Sequence, residues 1–252
     1  MFIGNWKMNH LKADAENFAA QFLKLYKAST TGAADVGFAP VITTLPTLAA
    51  SFGKVPGILV GSQNVHWLES GAHTGEISAA MVKEAGATFA IIGHSERRQF
   101  YGETDNTVSL RTKAAISAGL RAIVCVGETK EEFESGRTEN VVRTQLIGSL
   151  KGIDAADLPL LTIAYEPVWA IGTGLTATPE IAGEVHSFTR KVLAEMFGQD
   201  NAGNIKILYG GSAKADNIAA LMACQDVDGA LVGGASLQAE SFWKLVENGR
   251  TK

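Results

Sequence analysis

The sequence predicts an α/β protein whose parallel strands close into a (β/α)8 barrel, and three observations carry that prediction. Eight short apolar, β-prone runs recur along the 252 residues, at 2–8, 36–39, 58–61, 89–93, 122–126, 160–165, 205–209 and 229–232. Between most of them lie segments with apolar residues at helical spacing. The turn after the first run reads Asn5-Trp6-Lys7-Met8-Asn9, without the G-x-G-x-x-G that announces the open, doubly wound alternative. Strands alternating with amphipathic helices give a helix-covered parallel sheet in either architecture, and eight repeats in this length match the barrel.

In chain order, the first run places Phe2, Trp6 and Met8 broadly on one face and Ile3, Asn5 and Lys7 on the other, so Asn5 and Lys7 point together into the barrel mouth. A helix follows at 15–26, with Phe18, Phe22 and Leu25 on its apolar face. After the third run, residues 63–78 are the longest non-helical stretch, and Trp67, Leu68, His73 and Thr74 within it suit docking into a partner subunit. An ordered surface loop is the alternative. Helical periodicity returns at 106–118, 138–150, 179–197 and 239–246. No charge run or polar linker divides the chain, which predicts one domain over residues 1–252.

Composition narrows the function. Apolar residues are 46% and charged residues 19%, with 27 glycines against 6 prolines, which excludes disorder. A net charge of -4 lacks the basic footprint of a nucleic-acid or acidic-membrane binder, so an anionic ligand needs a local positive patch. Cys125 and Cys224 stand far apart, forming neither a CxxC pair nor a zinc knuckle, and the 5 histidines contain no i, i+4 pair. No metal site is therefore expected. The opening residues lack a signal-peptide layout and no apolar run reaches the roughly 18 residues of a membrane span, which predicts a cytoplasmic protein with no membrane partner.

In barrels the working residues stand at the carboxyl ends of strands. Lys7 needs an anionic partner there, either a substrate phosphate or one of the chain's own carboxylates in a structural salt bridge. His94 follows Ala90-Ile91-Ile92-Gly93 and opens a short helical stretch, whose amino terminus favours a neutral imidazole able to donate to a carbonyl oxygen gaining charge; a purely structural histidine is the competing reading. Glu166 ends an apolar strand before Pro167, a general-base position where apolar surroundings raise a carboxylate's pKa; a glutamate that merely caps the next loop is the alternative. Gly210-Gly211-Ser212 and Gly233-Gly234 follow consecutive strands, where glycine lets backbone N–H groups approach a phosphate. Residues 167–174 read as a closing loop with an apolar centre and glycine ends, which excludes water.

These segments together carry a resemblance. Gly4-Asn5-Trp6-Lys7-Met8-Asn9, Gly93-His94-Ser95-Glu96-Arg97-Arg98, Ala164-Tyr165-Glu166-Pro167-Val168-Trp169-Ala170-Ile171-Gly172-Thr173-Gly174 and Tyr209-Gly210-Gly211-Ser212 resemble the triosephosphate isomerase family, as do Gln63-Asn64, residues 71–76 and residues 102–105. The resemblance covers the whole chain and implies a TIM barrel, a phosphorylated triose substrate, a place in glycolysis and gluconeogenesis, and no cofactor. It implies Glu166 as the base, His94 as the neutral electrophile, Lys7 as the cation near substrate, Asn5 as its hydrogen-bonding companion and Glu96 beside them. Gly172, Ser212, Gly233 and Gly234 match positions whose N–H groups hold phosphate. Thr74 matches a residue reaching toward the neighbouring subunit's site, so a homodimer is implied, with Glu76 and Arg97 also at the interface. Leu175, where the family often has lysine, and Ala213, where valine is common, depart from the pattern. Two rivals stand beside this reading: another phosphate-binding barrel, such as a Schiff-base sugar-phosphate aldolase or an amino-sugar isomerase, and a barrel kept as a binding or scaffolding protein.

Overall fold

The computed structural model describes residues 1–28, 36–53, 55–171 and 176–250. Eight strands, β1 (Phe2–Asn5), β2 (Val36–Ala39), β3 (Ile58–Ser62), β4 (Phe89–Ile92), β5 (Arg121–Val126), β6 (Leu161–Tyr165), β7 (Lys206–Tyr209) and β8 (Ala230–Val232), pair in chain order. All pairs are parallel, and β8 returns to β1 with Phe2 opposite Ala230 and Gly4 opposite Val232, closing the barrel. Every expected run is one of these strands. Only the first differs by more than a residue, ending at Asn5 instead of Met8, because Lys7 and His10 turn into the left-handed region at φ 51° and 70°.

Side-chain alternation divides the core in two. Facing inward, Ile3, Phe89, Ile91, Ile123, Cys125, Ala164, Leu208 and Leu231 form a narrow plug inside the barrel. Phe89 occupies its lower part only because its neighbours have no side chains: a Cβ on Gly37 would come within 3.0 Å of its ring, and one on Gly61 would overlap it. Facing outward, Phe38 meets Phe18, Phe22, Phe52 and Phe242 from the surrounding helices in a larger apolar shell.

The five long helices appear as Lys12–Ala28, Asp105–Ser117, Thr138–Ser149, Pro179–Phe197 and Ala239–Gly249, and Ser95–Tyr101 is the short helix expected after His94. Helices Leu45–Phe52, Ala79–Glu84, Lys130–Glu134, Gln199–Asn204 and Ile218–Ala223 were not anticipated. With 5 to 8 residues each, they are too short to display a period. Two of them nonetheless carry local start signals: Ser78 accepts from the Met81 N–H, and Thr129 forms a reciprocal capping box with Glu132. No helix among the described residues is long and apolar enough to cross a membrane.

One buried histidine links the barrel to its cover. His186, wholly buried, packs edge-on to the Tyr165 ring at 5.8 Å, and its Nδ1 lies 3.1 Å from the Asp226 carbonyl, to which it donates. Burial pushes its pKa down to about 4 from 6.5. The unfolded chain therefore binds a proton here that the folded chain does not, between pH 6.5 and 4. This residue's contribution is complete above pH 6.5 and is lost as the pH falls. Lowering the pH from about 7.5 to about 5 is expected to remove about 2 kcal/mol of stability through His186. Denaturant titrations at the two pH values check this, and the loss shrinks by that amount in His186→Gln.

Candidate active site at the barrel mouth

Continuing each inward-facing row by two residues beyond the plug gives the barrel's upper layer: Asn5 after Ile3, Glu166 after Ala164, Gly210 after Leu208 and Gly233 after Leu231. Only two of these four have side chains. The backbone N–H of Glu166 still donates to the Val126 carbonyl at 2.8 Å, and Pro167 then turns the chain away, so the carboxylate is delivered at the barrel's end. It is 2% exposed.

Both of its oxygens are held. Glu166 Oε1 lies 2.8 Å from His94 Nε2, and Oε2 accepts from the Ser95 N–H at 2.9 Å. His94 is the residue before the helix Ser95–Tyr101, and its Nδ1 accepts from the Glu96 N–H at 3.2 Å. A peptide N–H only donates, so Nδ1 bears no hydrogen and the ring's proton is on Nε2. Burial raises the Glu166 pKa, but the charge and hydrogen bond of His94, the Ser95 N–H and Lys7 outweigh it and hold the carboxyl below its usual value. For His94 burial acts downward and Glu166 upward, with a net rise. Two expectations are thus corrected. The carboxylate is not made more basic while His94 and Ser95 hold it, and the His94 pKa is raised by Glu166, not lowered by the helix start; what the helix start supplies is the Glu96 N–H at Nδ1, which places the hydrogen of the neutral ring on Nε2.

Asn5 and Lys7 do meet at the mouth, though not through strand alternation. Lys7 lies past the strand's end in its left-handed turn, where its N–H donates to Asn5 Oδ1 at 3.1 Å. Its ammonium extends to Glu96 Oε1 at 2.5 Å, with both side chains partly open to solvent. Gln63 secures this turn by donating to the Lys7 and Ala39 carbonyls at 2.7 and 2.9 Å.

The two glycine pairs differ. A Cβ on Gly210 would lie 2.8 Å from Glu166 Cγ and 3.0 Å from the Tyr165 carbonyl, and one on Gly211 would collide with the Tyr209 phenol, so this pair makes room for the acid and its neighbours. Gly233 and Gly234 face open space, with only the Lys7 aliphatic chain 3.7 Å from Gly233's missing Cβ. Ser212 is half-buried at the start of the β7 loop. Gly172 and Leu175 lie outside the described residues, as does most of the glycine-rich end of the 167–174 loop. At that loop's described root, Val168–Ala170 forms a 3-10 turn, and the buried Glu128 accepts from Trp169 Nε1 at 2.7 Å and the Tyr165 hydroxyl at 3.1 Å. Beside Glu166 a cavity of about 950 Å3 runs between Ser95, Phe100, Lys130 and Trp169.

Sequence reasoning missed Gln63's hold on Lys7, Glu128, and Arg98, which ties β4 to β5 by donating to the Gly93 and Cys125 carbonyls at 2.9 and 3.2 Å. Only Glu128 left a signal, a carboxylate two residues beyond an apolar strand end. Thr74 is exposed at the tip of the 63–78 loop, while Glu76 and Arg97 line a small cavity of about 190 Å3 beside it. Arg97 also pairs with Glu103 at 2.5 Å. Among the described residues no group of three His, Cys, Asp or Glu side chains converges to hold a metal ion.

The model of one protein family, triosephosphate isomerase, matches residues 1–249. The chain is 48% identical to the triosephosphate isomerase of Trichlorobacter lovleyi, covering 98% of this chain and 97% of that relative. Identity is also 48% to that of Caldanaerobacter subterraneus subsp. tengcongensis, covering 96% of each. The crystal structure of triosephosphate isomerase from Bartonella henselae superimposes with a TM-score of 0.88 at 39% identity, over 99% of this chain and 98% of the other.

Gly210→Ala is expected to push the Glu166 side chain aside and break the 2.9 Å hydrogen bond from Ser95, with the barrel still folded. A crystal structure of the variant checks the displacement.

Proposed function

Since the chain belongs to the triosephosphate isomerase family, we infer that it interconverts D-glyceraldehyde 3-phosphate and dihydroxyacetone phosphate, an aldose–ketose isomerisation in which Glu166 moves the proton. The observation that carries the assignment of the base is the buried Glu166 carboxylate, within hydrogen-bonding reach of His94 at the open end of the barrel. Glu166 takes a proton from the carbon beside the carbonyl, and the electron pair moves onto the carbonyl oxygen to give an enediolate. His94 Nε2–H and the Lys7 ammonium stabilise that oxygen, with Asn5 beside them and Glu96 orienting Lys7. The neighbouring hydroxyl proton passes to that oxygen, and Glu166 returns its proton to the former carbonyl carbon as the other oxygen becomes the new carbonyl. Oxidation state is unchanged overall, so no redox partner is needed.

The pKa directions support this cycle. When His94 turns its N–H from Glu166 to the substrate oxygen, the carboxylate loses the partner that lowered its pKa, while burial continues to raise it. The base strengthens when substrate is in place. The phosphate is held by N–H groups of Gly172, Ser212, Gly233 and Gly234 in the loops after β6, β7 and β8, near the Lys7 charge. A Schiff-base aldolase is disfavoured because β6 leads into Glu166 where such an enzyme needs a lysine, and Lys7, at the exit of β1, is paired with Glu96.

The unit of function in this reading is one barrel domain, working as a homodimer in the cytoplasm with Thr74, Glu76 and Arg97 at the subunit contact. Exposed apolar groups on the molecule, Met8 at 91%, Leu11 at 78% and Tyr101 at 70%, are surfaces that a second subunit would cover.

Metal-free protein is expected to isomerise glyceraldehyde 3-phosphate in a coupled dehydrogenase assay. Glu166→Gln is expected to lower kcat on the order of a thousand-fold with the fold retained, and a variant as fast as the parent overturns the assignment of the base. In analytical ultracentrifugation the parent is expected to sediment as a two-chain species, and Thr74→Arg to shift it toward one chain with loss of activity. A fully active single chain overturns the dimer.

A further inference from the structure

We propose that His10 is a positioning residue for phosphate binding: its ring locks the β1 exit, which carries Lys7, to the 3-10 turn Gly234–Ser236 after β8. The inference rests on the reading above, in which Gly233 and Gly234 meet the substrate phosphate.

His10 stands at φ 70°, a conformation that glycine adopts freely and residues with a Cβ adopt at a cost. What offsets that cost is visible in its ring. It packs edge-on to Trp6 with centroids 4.5 Å apart, and its Nε2 lies 3.2 Å from the Leu237 carbonyl. A carbonyl only accepts, so Nε2 carries the hydrogen. Trp6 itself donates Nε1–H to the neighbouring Ser236 carbonyl at 3.0 Å. Two rings from one segment thus hold two consecutive carbonyls at the carboxyl end of the turn. A single bond would leave the turn free to rotate about it; a second removes that freedom.

The turn is short and internally braced, with the Ser236 N–H and hydroxyl both donating to the Gly233 carbonyl at 2.8 and 2.7 Å. In any helical turn the carbonyls point one way and the leading N–H groups the other. Drawing the 236 and 237 carbonyls onto Trp6 and His10 therefore presents the opposite end, Gly233 and Gly234, to the mouth. Gly4 brings β1 so close that a Cβ there would sit 2.9 Å from Ser236 Cβ, and the Lys7 chain runs past Gly233. The cation and the N–H groups that contact one phosphate are thereby fixed relative to each other, and His10 is the outermost tie in that unit.

The test compares the parent with His10→Gly, which suits the left-handed backbone and keeps the fold, and His10→Gln, which retains a side-chain N–H donor. The expected result is that His10→Gly raises both KM for glyceraldehyde 3-phosphate and the inhibition constant of inorganic phosphate about five-fold, the factor one neutral hydrogen bond supplies. Its kcat stays within about two-fold of the parent, its turnover of unphosphorylated glyceraldehyde is unchanged, and His10→Gln restores both constants. The proposal is overturned if the His10→Gly constants equal the parent's, if activity on both substrates falls alike, or if glutamine restores nothing. Turnover of triose phosphate by the parent tests the functional reading separately, so failure of one is not mistaken for failure of the other.

Discussion

An eight-stranded barrel has an interior just wide enough for side chains to fill, and how this chain fills it decides everything above it. Phe89 takes the lower volume that Gly37 and Gly61 leave vacant. One layer up, Gly210 and Gly233 contribute no side chains at all, so the space they release is shared by Asn5, Glu166 and whatever ligand enters. The concavity at the mouth is made by omission, on a floor that is fully packed. That arrangement combines a rigid support with an open end, and it explains why glycine is needed within the barrel as much as at its turns.

A packed interior makes charge expensive, and the structure meets that cost with fixed donors. Glu166 has two, from His94 and Ser95, and both belong to the start of one helix whose next N–H fixes the histidine's tautomer. Glu128 is held by Trp169 and Tyr165, which joins the root of the 167–174 loop to β6. The acid at the mouth and the loop root beside it are therefore set by neighbouring but separate hydrogen-bond groups. Either can rearrange without dismantling the other.

Most of the architecture was legible because its signals are local and periodic: eight apolar runs, five long amphipathic helices, and polar residues at the strand ends. Glu166 and His94 could be picked out for the same reason, since each interrupts an apolar run where the fold class places chemistry. What could not be read depends on contacts between distant segments. The left-handed turn at Lys7 replaces strand alternation as the device that aims its ammonium, and Gln63 secures that turn from 56 residues away. The direction of the Glu166 pKa follows from His94 and Ser95, 71 residues distant for the latter, and apolar sequence neighbours alone point the other way. The Gly210-Gly211 pair shows the same limit, because a glycine needed for packing and one needed for a ligand look identical in a sequence.

The inward-facing plug also encloses Cys125, whose thiol burial and the nearby Glu166 charge push well above its usual pKa, while Cys224 stands partly exposed on the opposite layer. Thiolate, not thiol, reacts with alkylating reagents. Cys125 is thereby a chemical timer that labels only when the strands around it separate, whereas Cys224 lies outside the barrel with its Sγ donating to the Pro179 carbonyl at 3.2 Å. Peptide mapping after a timed pulse of reagent would read the opening of the barrel itself, without any introduced probe.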